Sequence, residues 1–600
     1  MKIKVAQYIA NFLVKNGITH NFTVTGGGAM HLNDALGHHP ELKSVYNHHE
    51  QACAIAAEGY ARLTGRMAVV CVTSGPGGTN AITGVLGGWL DSVPMFIISG
   101  QVKSTTTTWA TDIPLRQLGD QEYNIVSSVK PMTKYAHMIT NPNEIRYHLE
   151  KMMYLALHGR KGPVWLDVPL DVQGAIVDTD YLKGFLPSEL SQREEPVYDH
   201  FLTAIIMDKL QHAKRPVILL GEGVRFGNAY EDMLRLIDKL KIPVVTAWNA
   251  NDQLWDDHPC FCGRPGTVGT RGGNFVVENS DVLLVLGCRL NIRQISYNYK
   301  DFAKGSYKIV VDIDENELKK PTLAIQMPIH ADVKDVIKDM LKINFMATEE
   351  QIRWLKWSRR INKAYPATLP SYYDKKSPMN PYAFITELSR ELQEDEHIVC
   401  GNGSACVITF QALYIKRGQR LFTNSGCAAM GYGFPAAIGC AVANGKKRTV
   451  CIDGDGSFQM NIQELQTVVY NHLNLKIIYL NNNGYHSIRQ TQTNLFNPPL
   501  VGVCDGNGLS FPDMEKICWA YGIPYVKADN ISTVHKMIQA FFNIEGPAFL
   551  EVILDANQNF EPKLSSRRLP DGTMVSPPID DMFPFLPREE YKSNKDLNKI

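Results

Sequence analysis

The chain has 600 residues, too many for a single core, and its length points to three or four domains. Lys+Arg and Asp+Glu both number 61, so no net field draws nucleic acid or an anionic membrane surface to it. At 44% hydrophobic and 20% charged the composition is that of a globular protein, and no apolar run approaches the length that spans a bilayer.

The first predicted element is an amphipathic helix. Val5, Ile9, Phe12 and Leu13 fall at helical spacing, Gln7, Asn11 and Lys15 interrupt the apolar run, and Gly17 ends it. This is the pattern of a surface helix, not of a signal peptide. Three apolar runs then end in glycine loops: FTVTGGGAMHLNDAL with Gly26, Gly27 and Gly28, VVCVTSGPGGTNAITG with Gly75, Gly77 and Gly78, and MFIISGQV with Gly100. Glycines at strand ends let backbone approach a ligand, and a following helix N-terminus favours an anion. None is GxGxxG or a P-loop, so a nicotinamide or nucleoside-triphosphate enzyme gets little support. Between the first two loops, NHHEQACAIAAEGYARLTG reads as a tightly packed helix with Glu50 at its start, where the helix dipole favours an acid.

Short β-rich runs alternating with helical patterns argue for parallel sheets covered by helices. Two polar or charged stretches, 181–200 and 346–380, read as linkers and divide the chain into domains of 1–180, 200–345 and 378–600. Asn380 is placed to cap the opening helix of the third domain, with Pro381 at its first position and Phe384, Ile385, Leu388 and Leu392 along one face. The last forty residues, rich in Pro and charge, read as an arm laid over a surface. The twelve cysteines are scattered through apolar runs, as expected of reduced thiols in a cytoplasmic protein, and the lone CxC at Cys260 and Cys262 lacks a second pair for a metal.

The densest chemistry lies in the third domain. The run Val450, Cys451, Ile452 leads into GDGSFQMNIQEL, a helical pattern follows, and the strand LKIIYL ends in Asn481, Asn482 and Asn483. In a parallel sheet with one crossover helix both strand ends lie at the same edge, where such sheets bind ligands. Asp455 and Asn482 then meet at one hard cation. Mg²⁺ suits them, because it takes oxygen ligands, few of them from protein, with a phosphate completing the shell. Gly454 and Gly456 are expected to let the chain turn sharply and present N–H groups to that phosphate.

GDG followed by NN at this spacing resembles the signature of the thiamine-diphosphate-dependent enzymes. The resemblance covers nearly the whole chain and is closest to the acetolactate synthase group, carried by HHEQACAIAAEGYAR, TSGPGGTN, LDSVP, SGQV, AAMGYGFPAAIG and DGDGSFQMNIQEL. It implies an α/β fold of three domains (pyrimidine-binding, middle and diphosphate-binding), each a mainly parallel sheet flanked by helices. It implies an obligate homodimer or homotetramer, with each active site built from two subunits. Asp455, Asn482 and the carbonyl of Gly484 match the metal ligands. Ser457 and the Asn402-Gly403-Ser404 turn match the diphosphate cradle. Glu50 matches the glutamate that hydrogen-bonds the pyrimidine N1′ and so lets the cofactor act as an electron sink. Met430 matches the apolar residue that wedges the cofactor into its bent form. The resemblance further assigns Pro76, Asn80, Gly454, Gly456 and Tyr485 to the cofactor, and Gly27, Gly28 and Gln121 to the reacting centre beside Glu50.

The middle segment, with PVILLGEGVRFG, SDVLLVLGCRL, YKIVVDIDENEL and HADV, resembles the six-stranded domain that holds FAD in acetolactate synthases. Arg289 and Arg293 match positions near the flavin, and Asp312, Asp314 or Asp332 is placed for a ribose or adenine. GEGVRFG is not a dinucleotide fingerprint, and relatives hold another nucleotide or none there, so FAD stays one of three alternatives.

The substrate side departs from the family. Leu170 stands where PKDVQ has Lys, Asp120 where a Phe precedes Gln121, and Thr491 where a Trp favours 2-oxobutyrate. Met30-His31 replaces an aliphatic pair, and Tyr485, His486 and Arg489 are introduced after the metal loop. His31, His486 and Arg489 are candidate substrate contacts. The expected activity is decarboxylation of a 2-oxo acid, pyruvate foremost, and transfer of the acyl unit to a second carbonyl. The alternatives are a polar acceptor such as a keto-sugar, which a polar pocket would select, and simple decarboxylation. A non-catalytic relative is disfavoured by the retained Glu50, Met430, Asp455 and Asn482.

Overall fold

The computed structural model describes residues 1–190, 195–445, 447–496, 499–568 and 571–599. Residues 191–194 of the first expected linker, and 569, 570 and 600 of the expected arm, lie outside the described residues. Helix α1 (Val5–Lys15) is the first helix of the chain, with Val5, Ile9 and Leu13 buried. The first sheet comprises β1 (His20–Thr23), β2 (Lys43–Tyr46), β3 (Val69–Val72), β4 (Phe96–Gln101), β5 (Tyr135–Met138) and β6 (Val164–Pro169). All its pairings are parallel, in the order β2-β1-β3-β4-β6-β5. Helices α2 (Glu50–Thr64) and α3 (Pro76–Leu90) connect its early strands.

The middle sheet has β7 (Pro216–Leu220), β8 (Val244–Thr246), β9 (Val282–Leu286), β10 (Tyr307–Asp312) and β11 (Met327–His330), in the parallel order β8-β7-β9-β10-β11. Six strands were expected. The place of a sixth, beside β8, holds only the single parallel bridge Val244–Phe261. Pro259 on one side and Gly263, Pro265 and Gly266 on the other keep that segment from extending the ladder.

The stretch 346–380, expected to be a linker, is corrected by helix α4 (Glu349–Ala364), which Thr348 and Gln351 open with a capping box. Trp354, Trp357 and Ile361 of α4 are buried on the middle core, and Trp354 Nε1 donates to Pro216 O (3.0 Å). Their spacing makes one apolar stripe, and the charged residues that suggested a linker cover the outer face.

Helix α5 (Pro381–Glu391) starts the third sheet's domain, with the Asn380 side chain accepting from the Tyr382 and Ala383 amides. The third sheet holds β12 (His397–Cys400), β13 (Arg420–Phe422), β14 (Thr449–Gly454), β15 (Leu475–Asn481), β16 (Tyr525–Ala528) and β17 (Ala548–Ile553), in the parallel order β13-β12-β14-β15-β17-β16. This is the order of the first sheet, strand for strand.

Helix α6 (Gly433–Asn444) crosses α2 and joins the first and third sheets. The crossing is close because it is made at glycines. A Cβ on Gly59 would lie 2.4 Å from Ala436 O, and one on Gly439 would lie 1.8 Å from Ala56 O. The C-terminal arm lies along the middle domain, where Asn274 and Arg271 donate to Ile579 O (2.8 Å) and Met582 O (3.1 Å) and both residues are buried. Among the described residues no helix is long and apolar enough to cross a membrane.

Candidate active site

Strands β14 and β15 are parallel neighbours, so their carboxyl ends deliver Asp455 and Asn482 to one edge. Asp455 Oδ1 accepts from Gly456 N (2.7 Å), and Oδ2 accepts from Gly484 N (2.8 Å) and Asn482 N (3.2 Å). Burial pushes the Asp455 carboxyl up to about 6, even with these amides and Arg489 opposing it. Asn482 Nδ2 donates to Ser404 Oγ (3.1 Å), which turns Oδ1 the other way. That oxygen is buried and has no hydrogen-bond partner. A buried, unpaired amide oxygen beside a carboxylate fits a hard cation. Gly484, at φ 132°, leaves no room for a side chain, since a Cβ would meet Val503 O at 1.9 Å.

The glycines around Asp455 have different reasons from the one expected. Neither adopts a positive φ. Gly454 faces open space, whereas a Cβ on Gly456 would lie 2.2 Å from Cε1 of Tyr485. Close packing of the Tyr485 ring, not a sharp turn, requires the second glycine. Met430 Cε lies 3.4 Å from the same position, so Met430, Gly456 and Tyr485 meet. The Asn402 amide donates to Ala428 O (3.0 Å), and Ser457 Oγ accepts from Gly431 N (2.9 Å). Gly403 has φ 60° at the start of the helix that Ser404 opens. The residues expected to cradle a diphosphate and wedge a cofactor therefore lie along one strip.

The first domain's residues gather at the matching edge of its own sheet. Glu50 is the first residue of α2 and accepts from Asn80 Nδ2 (3.0 Å), one turn into α3. Pro76 opens α3 after Gly75, at φ 57°. A Cβ on Gly75 would lie 2.3 Å from Gln121 O, so the Gln121 loop seats directly on it. Gln121 itself is exposed with φ 60°. Gly27 faces open space, and Gly28 N donates to Thr73 Oγ1 (3.1 Å). Among the described residues, no hydrogen bond or ion pair joins Glu50 or Asn80 to the Asp455, Asn482 and Gly484 set.

Of the three candidate substrate contacts only His486 is buried, and Arg489 and His31 are half-buried with partners of their own. His486 is buried against Phe560, its Nε2 within 2.8 Å of Gln558 O. The Arg489 guanidinium donates to the carbonyls of Asn482 (3.0 Å) and Asn483, stapling the loop that follows β15. His31 Nδ1 pairs with Lys4 Nζ at 2.9 Å. Of the departures from the family, Asp120 is exposed, Leu170 begins a half-buried turn, and Thr491 returns its hydroxyl to Ser487 O (3.0 Å).

Sequence reasoning passed over Glu464 and Asn461. The buried Glu464 carboxylate accepts from Asn47 Nδ2 (2.9 Å), His48 N (2.9 Å) and Thr467 Oγ1 (2.6 Å). Asn461 Nδ2 donates to Gly431 O (2.8 Å) and Gln51 Oε1 (3.2 Å). Together they hold the segment that leads into Glu50. Their polarity inside an otherwise apolar helical pattern was the available signal.

A cavity of about 470 Å³ opens at the carboxyl ends of the middle strands. Gly221, Gly223 and Gly287 line it, together with Asp312 and Asp332. Arg289 lines the cavity as well, while Arg293 stacks over the Trp248 ring (5.3 Å). Asp314 is engaged with Arg160 of the first domain (2.9 Å).

Comparison with known proteins places all three sheets. Residues 3–124 match the "Thiamine pyrophosphate enzyme, N-terminal TPP binding domain", residues 203–340 the central domain, and residues 401–552 the C-terminal TPP binding domain. The chain is 30% identical over 560 residues to the acetolactate synthase isozyme 1 large subunit of Escherichia coli (strain K12), covering 93% of this chain and 95% of that one. It is 30% identical over 571 residues to the acetolactate synthase large subunit of Cyanidium caldarium, with 93% and 94% covered. To a probable acetolactate synthase large subunit of Methanococcus aeolicus it is 31% identical over 582 residues, with 93% and 92% covered.

Proposed function

The chain belongs to the thiamine pyrophosphate enzymes, of the acetolactate synthase type, and from that membership we propose that it is a Mg²⁺-dependent carboligase. In this reading it decarboxylates a 2-oxo acid, pyruvate foremost, and transfers the acyl unit to a second carbonyl. The observation that carries it is the pairing of the Asp455 carboxylate with the unpartnered, buried Asn482 Oδ1 at one sheet edge.

Mg²⁺ would be held by Asp455, Asn482 Oδ1 and the Gly484 carbonyl. The diphosphate would lie along Asn402, Ser404 and Ser457. Thiamine diphosphate, when bound, supplies the electron sink for decarboxylation. Glu50 holds a proton at the aminopyrimidine, and Asn80 fixes its carboxylate for that task. Tyr485 and Met430 exclude water from the strip they cover. Family membership supports a homodimer, or a tetramer of such dimers, with each cofactor held between two subunits; among the described residues no direct bond joins Glu50 to the Asp455 set. The glycines and the two aspartates that line the middle cavity fit FAD or a similar nucleotide.

One observation favours a polar acceptor. Asp120 is an exposed carboxylate next to Gln121, which seats on Gly75. A carboxylate there rewards a hydroxyl-bearing acceptor such as a keto-sugar.

The test is incubation of the pure protein with Mg²⁺, thiamine diphosphate and pyruvate, with products followed by NMR. Acetolactate from pyruvate alone is the expected result. Turnover only after a hydroxylated carbonyl is added would establish the polar acceptor. Acetaldehyde as the sole product would replace the carboligase with a decarboxylase, and no pyruvate loss under any condition would overturn the reading.

A further inference from the structure

The loop 424–431 carries Met430, yet most of its anchors lie outside the third domain. Asp91, at the end of α3, has a fully buried side chain and lines the middle cavity. Its Oδ1 accepts from Gly426 N (3.0 Å) and its Oδ2 from Ser425 N (3.1 Å). Arg62 Nη2 holds the same carboxylate at 3.0 Å, and Arg289, also on the cavity wall, lies 3.9 Å away. Asn249 of the middle domain lines the cavity and accepts from Ser425 Oγ. Beyond these anchors, Ala428 sits at φ 53°, a backbone state that a non-glycine residue adopts only when its surroundings hold it. From there the loop runs directly into the cofactor strip, through Asn402 to Ala428 O and Gly431 N to Ser457.

One wall is therefore shared. The half-buried Asn249, on the cavity wall, and the buried Asp91, which the cavity meets through Arg289, hold the loop that shapes the cofactor strip. We propose that Asp91 and Asn249 are positioning residues that make thiamine diphosphate affinity depend on what fills the middle cavity. This rests on the reading of Asn402, Met430 and Ser457 as cofactor contacts. A ligand against Arg289 and Asn249 narrows the arrangements open to Ser425 and Gly426, so the loop is already ordered when the cofactor arrives. Linkage then requires the reverse as well: thiamine diphosphate tightens the cavity ligand by the same factor.

The experiment is calorimetric titration of thiamine diphosphate with Mg²⁺ into the wild type, Ser425→Ala, Asn249→Ala and Asp91→Asn, each with and without saturating FAD. Ser425→Ala and Asn249→Ala should each weaken thiamine diphosphate about 3- to 10-fold, the worth of one hydrogen bond. FAD should tighten it in the wild type and by a smaller factor in both variants, and Ser425→Thr should restore the wild-type factor. Asp91→Asn should weaken it most. Should that buried variant fail to fold, the half-buried Ser425 and Asn249 still decide the matter. A structural role alone would lower the melting temperature of the cofactor-free variants and leave the FAD factor unchanged. Equal thiamine diphosphate affinity in wild type, Ser425→Ala and Asn249→Ala would overturn the positioning role. If FAD bound to none of the proteins, the flavin reading and the dependence on occupancy would both fall, while weakening in Ser425→Ala would leave the positioning role standing.

Discussion

The first and third sheets share one strand order, yet they prepare opposite halves of a chemistry. After its first strand the first domain places Gly27 and Gly28; the third places Asn402, Gly403 and Ser404. After its third strand the first domain places Gly75 and Pro76; the third places Asp455 and Ser457. Even the buried acid repeats: Asp167 on β6 accepts from Ser99 and Gln101 on β4, and Glu551 on β17 accepts from Asn481 on β15. The scaffold sets where loops emerge, and a few loop residues decide what each edge can hold. In the proposed function one edge offers a carboxylate beside an amide for a proton, and the other offers oxygen ligands for a cation.

That division of labour can be broken by exchange of effects. Glu50→Gln should lower kcat about 10²- to 10⁴-fold, the usual worth of a positioned acid, while calorimetry finds Mg²⁺ and thiamine diphosphate still bound. Asp455→Asn should instead weaken the joint binding of Mg²⁺ and thiamine diphosphate by roughly 10²-fold, because it removes the only charge in the ligand set. If Glu50→Gln lost Mg²⁺ as Asp455→Asn does, the two edges would not have separate tasks.

The next comparison concerns one helix start in each domain, Gly75 after the third strand of the first and Gly403 after the first strand of the third. Both Gly75 and Gly403 have positive φ, but only Gly75 has a backbone carbonyl against it. Gly75→Ala should destabilise by about 2–4 kcal/mol and Gly403→Ala by about 1–2 kcal/mol in denaturant unfolding followed by tryptophan fluorescence. Equal costs would show that the seat of the Gln121 loop adapts.

The last effect concerns one of the two buried acids, Asp167. Burial raises Asp167 from 3.8 to about 7, against its hydrogen bonds from Ser99 and Gln101. Between those pH values the folded chain keeps a proton that the unfolded chain has lost. Its stability therefore falls by up to about 1.4 kcal/mol per pH unit from about pH 4 to about pH 7, and the penalty is constant above. Asp167→Asn abolishes that slope, so its melting temperature relative to the wild type should rise between pH 5 and pH 8. A pH-independent difference would mean that Asp167 is ionised in the fold.

Much of this was legible in the chain. The glycine loops, the Asn380 cap, and the Asp455 and Asn482 strand ends are local signals of turn, cap and crossover, and each depends on residues close in sequence. The errors came from burial. Charge made 349–364 read as a linker, although Trp354, Trp357 and Ile361 share one face. Polarity made His486 and Arg489 read as substrate contacts, although one is buried on Gln558 and the other staples the loop after β15.

By itself the sequence determined which elements form, that the sheets are parallel, and which strand ends carry chemistry, because periodicity and turn residues act over a few positions. Only the tertiary structure decided which polar groups are satisfied internally. Glu464 reaching Asn47, Asp91 holding Ser425 and Gly426, and Tyr485 filling the space beside Gly456 all join residues distant along the chain. Such contacts come from the packing of domains on one another and of distant segments within one domain, and no local pattern encodes them.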